Sequence, residues 1–236
     1  MMAYACRECG CDTDWTDELV EAFSEKAVVC DQCCEDYQKS KKSHKAEIVH
    51  QARPITELIR PLYLETDYEK LPEEAQNVWN NIKHWTPDIG KGIYLLGASR
   101  TGKSRLLTLL LQKLHGYGYA FKIFYAGEFH AELSNAKRST HYRSWRDEVV
   151  TIPILAIDDL FAEKMTPTSE AGLFEIINQR MERKLPVLAT SQVIRKDAVA
   201  RFDDKHRGEA LLNRLRETTQ LWLFNQELMQ TTMNNL

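Results

Sequence analysis

The sequence predicts an α/β fold in which helices cover both faces of a five-stranded parallel sheet. Short apolar runs alternate along the chain with longer amphipathic patterns, which is the order expected when right-handed helical crossovers join parallel strands. One glycine-rich loop joins an apolar run directly to a helical pattern, and two further runs end in polar residues. Ligands of such sheets bind at the carboxyl ends of the strands, so these three loops predict one shared site.

The predicted strands are short and rich in apolar residues, and the predicted helices repeat apolar residues every three or four positions. The strands cover residues 92–96, 119–125, 153–157, 186–189 and 221–224. The helices cover residues 55–62, 73–85, 104–114, 128–137, 142–150, 169–184, 196–202 and 209–217. Gly116 and Gly118 are expected to end the helix at 104–114. In the helix at 169–184, the residues expected to face inward are Leu173, Phe174, Ile177 and Met181.

Composition and charge limit the possible classes of protein. A chain of 236 residues has room for one large domain beside a small one. A net charge of −3 gives no overall basic field for nucleic acid. No apolar run approaches the roughly 18 residues that a membrane helix needs. The N-terminal residues lack the apolar core of a signal peptide, so we expect a cytoplasmic protein.

The charges are distributed unevenly near the N-terminus. Residues 1–36 carry ten acidic and two basic side chains, a balance of −8, whereas residues 37–53 carry five basic and one acidic, a balance of +4. We therefore predict a small module at residues 1–37, a basic linker at 38–53, and the large domain at 54–236. The acidic module suggests protein docking rather than nucleic-acid binding, and a merely solvated acidic surface is the alternative.

All six cysteines lie in the first 34 residues. Cys6, Cys9, Cys30 and Cys33 form two C-x2-C pairs separated by twenty residues, at the upper edge of the spacing expected for a four-cysteine zinc site. Each pair can present two thiolates from one tight turn, and two turns complete a tetrahedron. We therefore predict a structural zinc in this module, which is too short to fold unaided. Disulfides and unliganded or redox-active cysteines are the alternatives.

A phosphate-binding loop follows the predicted strand at 92–96. Residues 97–104 read Gly-Ala-Ser-Arg-Thr-Gly-Lys-Ser, the G-x-x-x-x-G-K-S pattern called Walker A. Its glycines let backbone N–H groups surround phosphates, and the following helix N-terminus adds positive potential. Lys103 is predicted to reach the β- and γ-phosphates, and the Ser104 hydroxyl to hold magnesium. The helices at 55–62 and 73–85 are expected to pack over the nucleotide base. The predicted nucleotide-binding residues are Gly97, Ala98, Ser99, Arg100, Thr101, Gly102, Lys103, Ser104, Arg105 and Asp158.

The strand at 153–157 ends in Asp158 and Asp159. An apolar strand that presents carboxylates beside the metal is the Walker B pattern. Asp158 is predicted to orient magnesium through its water ligands or through Ser104, and Asp159 to polarise the attacking water. The alternative is an acidic turn after a core strand.

In combination and in order, these motifs resemble the AAA+ ATPases of the group that contains the DnaC and DnaI helicase loaders and the IstB transposition helpers. The resemblance covers residues 54–236 and extends to residues 173–180, Leu-Phe-Glu-Ile-Ile-Asn-Gln-Arg, and 185–192, Leu-Pro-Val-Leu-Ala-Thr-Ser-Gln. It implies an ATPase that uses ATP and magnesium, with the phosphate-loop strand lying centrally in the sheet. The chain ends twelve residues beyond Phe224, so the resemblance also implies that a helical lid is lacking.

The resemblance assigns roles to further residues. Gln192 stands where the family usually has an asparagine that senses the γ-phosphate, and it is one methylene longer. Asp159 stands where most AAA+ relatives have glutamate, which suggests slow turnover. The Asn-Arg-Leu pattern at 213–215 resembles that of the arginine supplied in trans to a neighbour's ATP, so Arg214 is the predicted residue. Arg216 and Arg207 are the next candidates, and an exposed helical arginine is the alternative reading.

A cluster that mixes cations and aromatic rings occupies residues 137–146. Such mixtures hold single-stranded DNA, because cations follow the phosphates and rings stack on bases. The alternative is a solvated helix face with Trp145 packed inward. The predicted DNA-binding residues are Lys137, Arg138, Arg143 and Arg146.

Together these features favour a helicase loader that assembles through its ATP interface on single-stranded DNA and docks a replicative helicase through the zinc module. A transposition helper that binds duplex DNA and a transposase is the main alternative. A non-hydrolysing adaptor and a small-molecule P-loop kinase are less favoured.

Overall fold

The computed structural model describes residues 4–6, 11–13, 32–33, 53–125 and 127–224. The strands are β1 (Gly92–Gly97), β2 (Phe121–Phe124), β3 (Ile154–Ile157), β4 (Val187–Ser191) and β5 (Thr219–Phe224). The helices are α1 (Ile55–Leu58), α2 (Pro61–Leu64), α3 (Glu73–Ile82), α4 (Lys103–Gly116), α5 (Glu128–Lys137), α6 (Tyr142–Thr151), α7 (Pro167–Glu182), α8 (Arg195–Ala200) and α9 (Lys205–Thr218). Short 3-10 turns occupy Tyr68–Lys70 and Pro87–Ile89.

The five strands form one parallel sheet in the order β2-β3-β4-β1-β5. This confirms the predicted α/β fold. The phosphate-loop strand β1 is an interior strand, as expected, although β4 occupies the middle position. Because β1 and β3 both flank β4, the loops that follow these three strands emerge side by side.

The sheet separates two hydrophobic cores. Along β1, Ile93 and Leu95 contact the core formed with α3 and α4, whereas Tyr94 contacts the core formed with α7 and α9. Alternate residues of a strand point to opposite faces, so β1 must be apolar at every position. This burial on both faces explains why the strands could be recognised as continuous apolar runs.

Several helix ends differ from the prediction, and local capping accounts for two of them. Helix α4 continues through Gly116, so only Gly118 lies beyond its end. Helix α7 begins at Pro167, where the Thr166 side chain accepts a hydrogen bond from the Ser169 N–H. Helix α9 begins at Lys205, four residues earlier than predicted, because the Asp204 carboxylate caps it.

The inner face of α7 contains an unexpected charge. Leu173 and Ile177 are buried as predicted, but Met181 is 39% exposed and Arg180 has no exposed surface. The Arg180 guanidinium donates hydrogen bonds of 2.8–3.4 Å to backbone carbonyls around the start of β3 and just before β4. The carbonyls belong to Val149, Val150, Ile152, Pro153 and Pro186. The two terminal nitrogens of the planar guanidinium make all of these bonds, whereas the buried Nε has no hydrogen-bond partner among the described residues.

In the ranges that the structure describes, none of the helices combines the length and the apolar character that crossing a bilayer requires.

We expect Arg180→Lys to lower the free energy of unfolding by on the order of 3 kcal/mol, because lysine has only three donors and leaves buried carbonyls unpaired. Arg183→Lys is the matched control, since Arg183 is exposed and its side chain bonds, within the described ranges, only to Gln179. Its effect should stay within about 0.5 kcal/mol. Urea denaturation of both variants measures the difference, and equal losses would contradict the role given to Arg180.

Candidate functional site

An open cavity of about 450 Å³ lies where β1, β3 and β4 end. The structure thus brings the phosphate loop, Asp159 and Gln192 to one place, as the order of strands in the sheet requires. The wall opposite consists of residues from α2, from the 3-10 turn Tyr68–Lys70 and from the position just before α3. The lining residues are Tyr63, Lys70, Pro72, Ser99, Arg100, Gly102, Lys103, Ser104, Arg105, Asp159 and Gln192.

The phosphate loop connects β1 to α4 by a tight turn. Gly102 has φ of 93°, in the left-handed region that favours glycine, and a Cβ atom there would lie 2.9 Å from the Pro72 ring. At the start of the loop, a Cβ on Gly97 would lie 2.5 Å from Phe224 of β5. Both glycines are therefore required by backbone conformation or by packing, and the loop sits at the N-terminus of a 14-residue helix.

Lys103 is the first residue of α4 and is only 6% exposed. Its Nζ donates hydrogen bonds to Ala98 O at 2.5 Å and to Thr101 Oγ1 at 3.2 Å. Burial lowers the pKa of the Lys103 ammonium, and the nearby carboxylates of Asp159 and Asp158 oppose this effect. The Lys103 ammonium thus contacts the phosphate loop, and because Lys103 lines the cavity, the ammonium can reach an anion there.

Asp158 is also only 6% exposed. Its Oδ1 accepts a hydrogen bond of 2.7 Å from the Thr190 hydroxyl, which comes from the neighbouring strand β4. Burial raises the pKa of the Asp158 carboxyl, while hydrogen bonds from the Thr190 and Ser104 side chains counteract the rise. The predicted magnesium-binding pair, Ser104 and Asp158, therefore lies close together.

Asp159 faces the cavity from the next position along the chain. It has φ of 59°, a conformation unusual for a residue other than glycine. Its backbone N–H donates to Thr190 Oγ1 at 2.8 Å. Gln192 Nε2 lies 3.2 and 3.3 Å from the two carboxylate oxygens of Asp159. The extra methylene of Gln192 thus allows its amide to reach the carboxylate predicted to act on water.

These residues fit a magnesium nucleotide. A buried ammonium and the N-terminus of α4 offer positive charge to phosphates. The Ser104 hydroxyl and the Asp158 carboxylate offer the oxygen ligands that magnesium prefers.

The cavity wall that precedes β1 contains residues that sequence patterns did not identify. Tyr63 and Lys70 line the cavity, and the Tyr63 ring stacks on Tyr125 with centroids 6.0 Å apart. Arg60 fixes this wall, because its guanidinium lies 4.0 Å from the Tyr125 ring centroid and pairs with Glu128 at 2.6 Å. The two predicted helices indicated only that this segment would cover the nucleotide.

The three candidate arginines differ in their surroundings. Arg214 is half-buried, and its guanidinium lies 4.6 Å from the ring centroid of Phe174. Arg207 lies 3.6 Å from the buried carboxylate of Glu170. Arg216 is exposed. Of the three, Arg207 is therefore the one in contact with a buried charge.

The predicted DNA-binding residues fall on the end of α5 and on α6. Lys137, Arg138 and Arg143 are exposed, whereas Arg146 pairs with Asp147 at 2.8 Å and with Glu175 at 3.4 Å. The ring of Trp145 packs against the core formed with α7 and α9, and its Nε1 donates to Glu132 at 3.0 Å. Trp145 therefore packs inward, as the alternative to a DNA-binding face expected. The role in DNA binding stays a prediction.

Of the predicted zinc ligands, Cys9 and Cys30 lie outside the described residues. Cys6 is 2% exposed and Cys33 is half-buried. An antiparallel bridge pairs Ala5 with Asp12. Among the residues that the structure describes, no three side chains of His, Cys, Asp or Glu are arranged to hold a metal ion. The zinc site stays a prediction.

Comparison with known proteins gives the family. Residues 81–232 match the family described as IstB-like ATP binding protein. The replicative helicase loader DnaI of Bacillus subtilis is 31% identical over 121 residues, which cover 51% of this chain and 39% of that protein. This chain therefore matches less than half the length of that relative.

Solved structures share the fold. A crystal structure of DnaI aligns with a TM-score of 0.60 at 20% identity, over 71% of this chain and 95% of that one. The DnaC helicase loader aligns with a TM-score of 0.61 at 17% identity, over 70% of this chain and 100% of that one. DnaA of Aquifex aeolicus bound to AMPPCP aligns with a TM-score of 0.59 at 17% identity, over 70% of this chain and 51% of that one.

The family match and the phosphate-loop site together indicate ATPase activity. The chain belongs to the family of IstB-like ATP binding proteins, and it shares its fold with the helicase loaders DnaI and DnaC.

Proposed function

We propose that the chain is an ATP-dependent loader of a replicative DNA helicase. The observation that carries this proposal is the 31% identity with the replicative helicase loader DnaI. The nucleotide site supports it, because a loader controlled by ATP needs both a nucleotide cavity and a way to report hydrolysis to its partners.

In this proposal the phosphate loop and Lys103 bind the phosphates, while Ser104 and Asp158 hold magnesium. Magnesium, when bound, neutralises charge on the β- and γ-phosphates. The buried ammonium of Lys103 is ready for this role, since its partners Ala98 and Thr101 belong to the loop that would surround the phosphates.

We assign Asp159 as the group that orients and polarises the attacking water, and Gln192 as the sensor of the γ-phosphate. The contact between the Gln192 amide and the Asp159 carboxylate supports a linked pair, because the amide cannot move towards a phosphate without changing that contact. The carboxylate of an aspartate reaches less far towards the attacking water than that of a glutamate, so we expect slow turnover.

We assign Arg214 as the arginine supplied in trans to the ATP of a neighbouring subunit. It projects from α9 and stacks on Phe174 without contacting a carboxylate in the described chain at ion-pair distance. Stacking uses the face of the guanidinium and leaves donors at its edge for phosphate.

The partner contacts complete the proposal. The acidic N-terminal module would dock the helicase through a basic surface, and the cluster Lys137, Arg138, Arg143 and Arg146 would follow single-stranded DNA. The exposure of the first three residues supports this path, whereas Arg146 is held by Asp147 and Glu175.

We expect Asp158→Asn and Asp159→Asn to separate binding from hydrolysis. Asp158→Asn should lose magnesium-dependent ATP binding, because an amide is a poorer magnesium ligand than a carboxylate. Asp159→Asn should bind ATP with little change but hydrolyse it about 10²–10⁴-fold more slowly, the range for loss of a positioned base. Calorimetric titration and single-turnover hydrolysis measure the two effects. Equal losses of binding in both variants would exclude this division of roles.

Without nucleotide, Asp158→Asn should raise the melting temperature at pH 7. Folding raises the pKa of the Asp158 carboxyl through burial. An acid of this kind lowers stability at a pH where both folded and unfolded states are ionised, and the penalty disappears where both are protonated. The rise in melting temperature caused by Asp158→Asn should therefore shrink as the pH falls towards about 4. A melting temperature below that of the parent protein at pH 7 would contradict the burial argument.

We expect Arg214→Ala to bind ATP normally and to lose hydrolysis in the assembled state, since such arginines contribute roughly 10³–10⁵ in rate. Mixing Arg214→Ala with Lys103→Ala subunits should restore part of the activity, because each variant supplies what the other lacks. Arg216→Ala is the matched control from the same helix and should hydrolyse at the parent rate. An unchanged rate for Arg214→Ala alone would reject the assignment.

We expect the N-terminal module to bind a hexameric replicative helicase and not DNA. Deleting residues 1–37 should abolish helicase binding and leave DNA binding intact, because the −8 charge of residues 1–36 repels phosphate. Titrating the full chain and the deletion variant against helicase, transposase and DNA at two salt concentrations measures this. Tight transposase binding, or DNA binding lost with the module, would favour a transposition helper instead.

A further inference from the structure

Thr190 is the fourth residue of β4 and has no exposed surface. On one side its strand pairs with β1, where Thr190 lies opposite Leu95. On the other side β4 pairs with β3, whose last residue, Ile157, lies opposite Ala189. Thr190 therefore stands one residue beyond the last pair of that ladder, beside the point where the chain leaves β3.

Three consecutive residues after β3 bond to Thr190. Its hydroxyl donates to Asp158 Oδ1 at 2.7 Å and accepts from the Asp159 N–H at 2.8 Å. Its carbonyl accepts from the Leu160 N–H at 2.8 Å. The Thr190 hydroxyl thus gives the Asp159 N–H the hydrogen-bond acceptor that a longer β3–β4 ladder would have supplied.

The chemistry fixes the direction of both hydroxyl bonds. An ionised carboxylate can only accept and an amide N–H can only donate, so the single proton of the hydroxyl points to Asp158 and a lone pair faces Asp159. One side chain therefore sets the position of the Asp158 carboxylate and the backbone of Asp159 at the same time.

The backbone of Asp159 needs such support. A left-handed conformation is unfavourable for residues other than glycine, although aspartate adopts it more readily than most, and Asp159 has φ of 59°. A hydrogen bond from its N–H to a fully buried acceptor opposes relaxation to an ordinary conformation. The direction in which the Asp159 carboxylate points depends on that backbone.

We infer that Thr190 is a positioning residue for both carboxylates of the site, an inference that rests on the ATPase part of the proposed function and not on the partner. Its hydroxyl holds the Asp158 carboxylate at the edge of the cavity, and it holds Asp159 within reach of Gln192. Because Gln192 lies two residues along from Thr190, the sensor and the two carboxylates are joined to one strand.

The test compares Thr190→Val, which keeps the β-branched shape without the hydroxyl, with Thr190→Ser, which keeps the hydroxyl. Thr219→Val is the matched control, because Thr219 is also buried at the start of the edge strand β5 and its hydroxyl donates to Leu215 O of α9 at 2.6 Å. Should valine disturb the packing at position 190, Thr190→Ala set against Thr190→Ser gives the same comparison.

The first measurement is amide hydrogen exchange of the full chain without nucleotide. The Asp159 N–H should exchange about 5- to 13-fold faster in Thr190→Val than in the parent, since a hydrogen bond worth about 1–1.5 kcal/mol is lost. Thr190→Ser should restore protection, and Thr219→Val should leave it unchanged. Unaltered exchange at Asp159 in Thr190→Val would overturn the inference.

The second measurement is the magnesium concentration that gives half-maximal ATP binding. Partners that orient metal ligands typically contribute 10–100-fold to affinity, so Thr190→Val should raise this concentration within that range and lower kcat more than it changes KM for ATP. Thr190→Ser should recover most of both. Equal effects from Thr219→Val would reduce Thr190 to a general stabilising role. A failure of the helicase titration would leave these two measurements untouched, so the inference and the loader proposal can fail separately.

Discussion

Lys103 and Asp158 carry opposite charges at the same edge of the sheet, and each is only 6% exposed. A buried charge without partners is far more costly than a paired one, so the surrounding structure has to supply the partners. Ala98 O accepts a hydrogen bond from the Lys103 ammonium, and the Thr190 hydroxyl donates one to the Asp158 carboxylate. The first contact lies within the phosphate loop, and the second joins β4 to the residue that follows β3.

The sheet and the phosphate loop could be predicted because both leave a direct trace in the sequence. Parallel strands buried on both faces need continuous apolar runs, and the loop needs glycine where the backbone turns or packs closely. Thr190 leaves no such trace, since a strand pattern does not say which hydroxyl will meet which carboxylate across the sheet. Helical spacing also predicted wrongly that Met181 faces inward. The buried residue is the preceding Arg180, and a fully buried arginine is too rare for spacing to predict. The cavity wall around Tyr63 depends on tertiary contacts that periodicity cannot supply.

The candidate arginines show how structure narrows a choice that a pattern leaves open. Arg207 lies beside Glu170, which is 1% exposed, and it is the cation that pairs with that carboxylate in the part of the chain that the structure describes. Arg214 stacks on Phe174, a contact that leaves the edge of its guanidinium to bind elsewhere. The same reasoning separates the basic residues near α6, where Arg146 is held by acidic neighbours and Arg143 is exposed. Local contacts thus distinguish arginines that support the fold from those open to a partner.

Arg180 bonds to neutral carbonyl oxygens and has no exposed surface, so dissolved ions have neither a charge pair to screen nor a path to reach it. The contacts proposed for the acidic module and for the basic cluster depend instead on exposed charges, which salt weakens. Raising the ionic strength should therefore weaken the partner contacts without weakening the contacts of Arg180. A concentrated salt wash should remove partners held by charge and leave the sheet intact. The ATPase domain could then be recovered and reassembled stepwise by dilution alone.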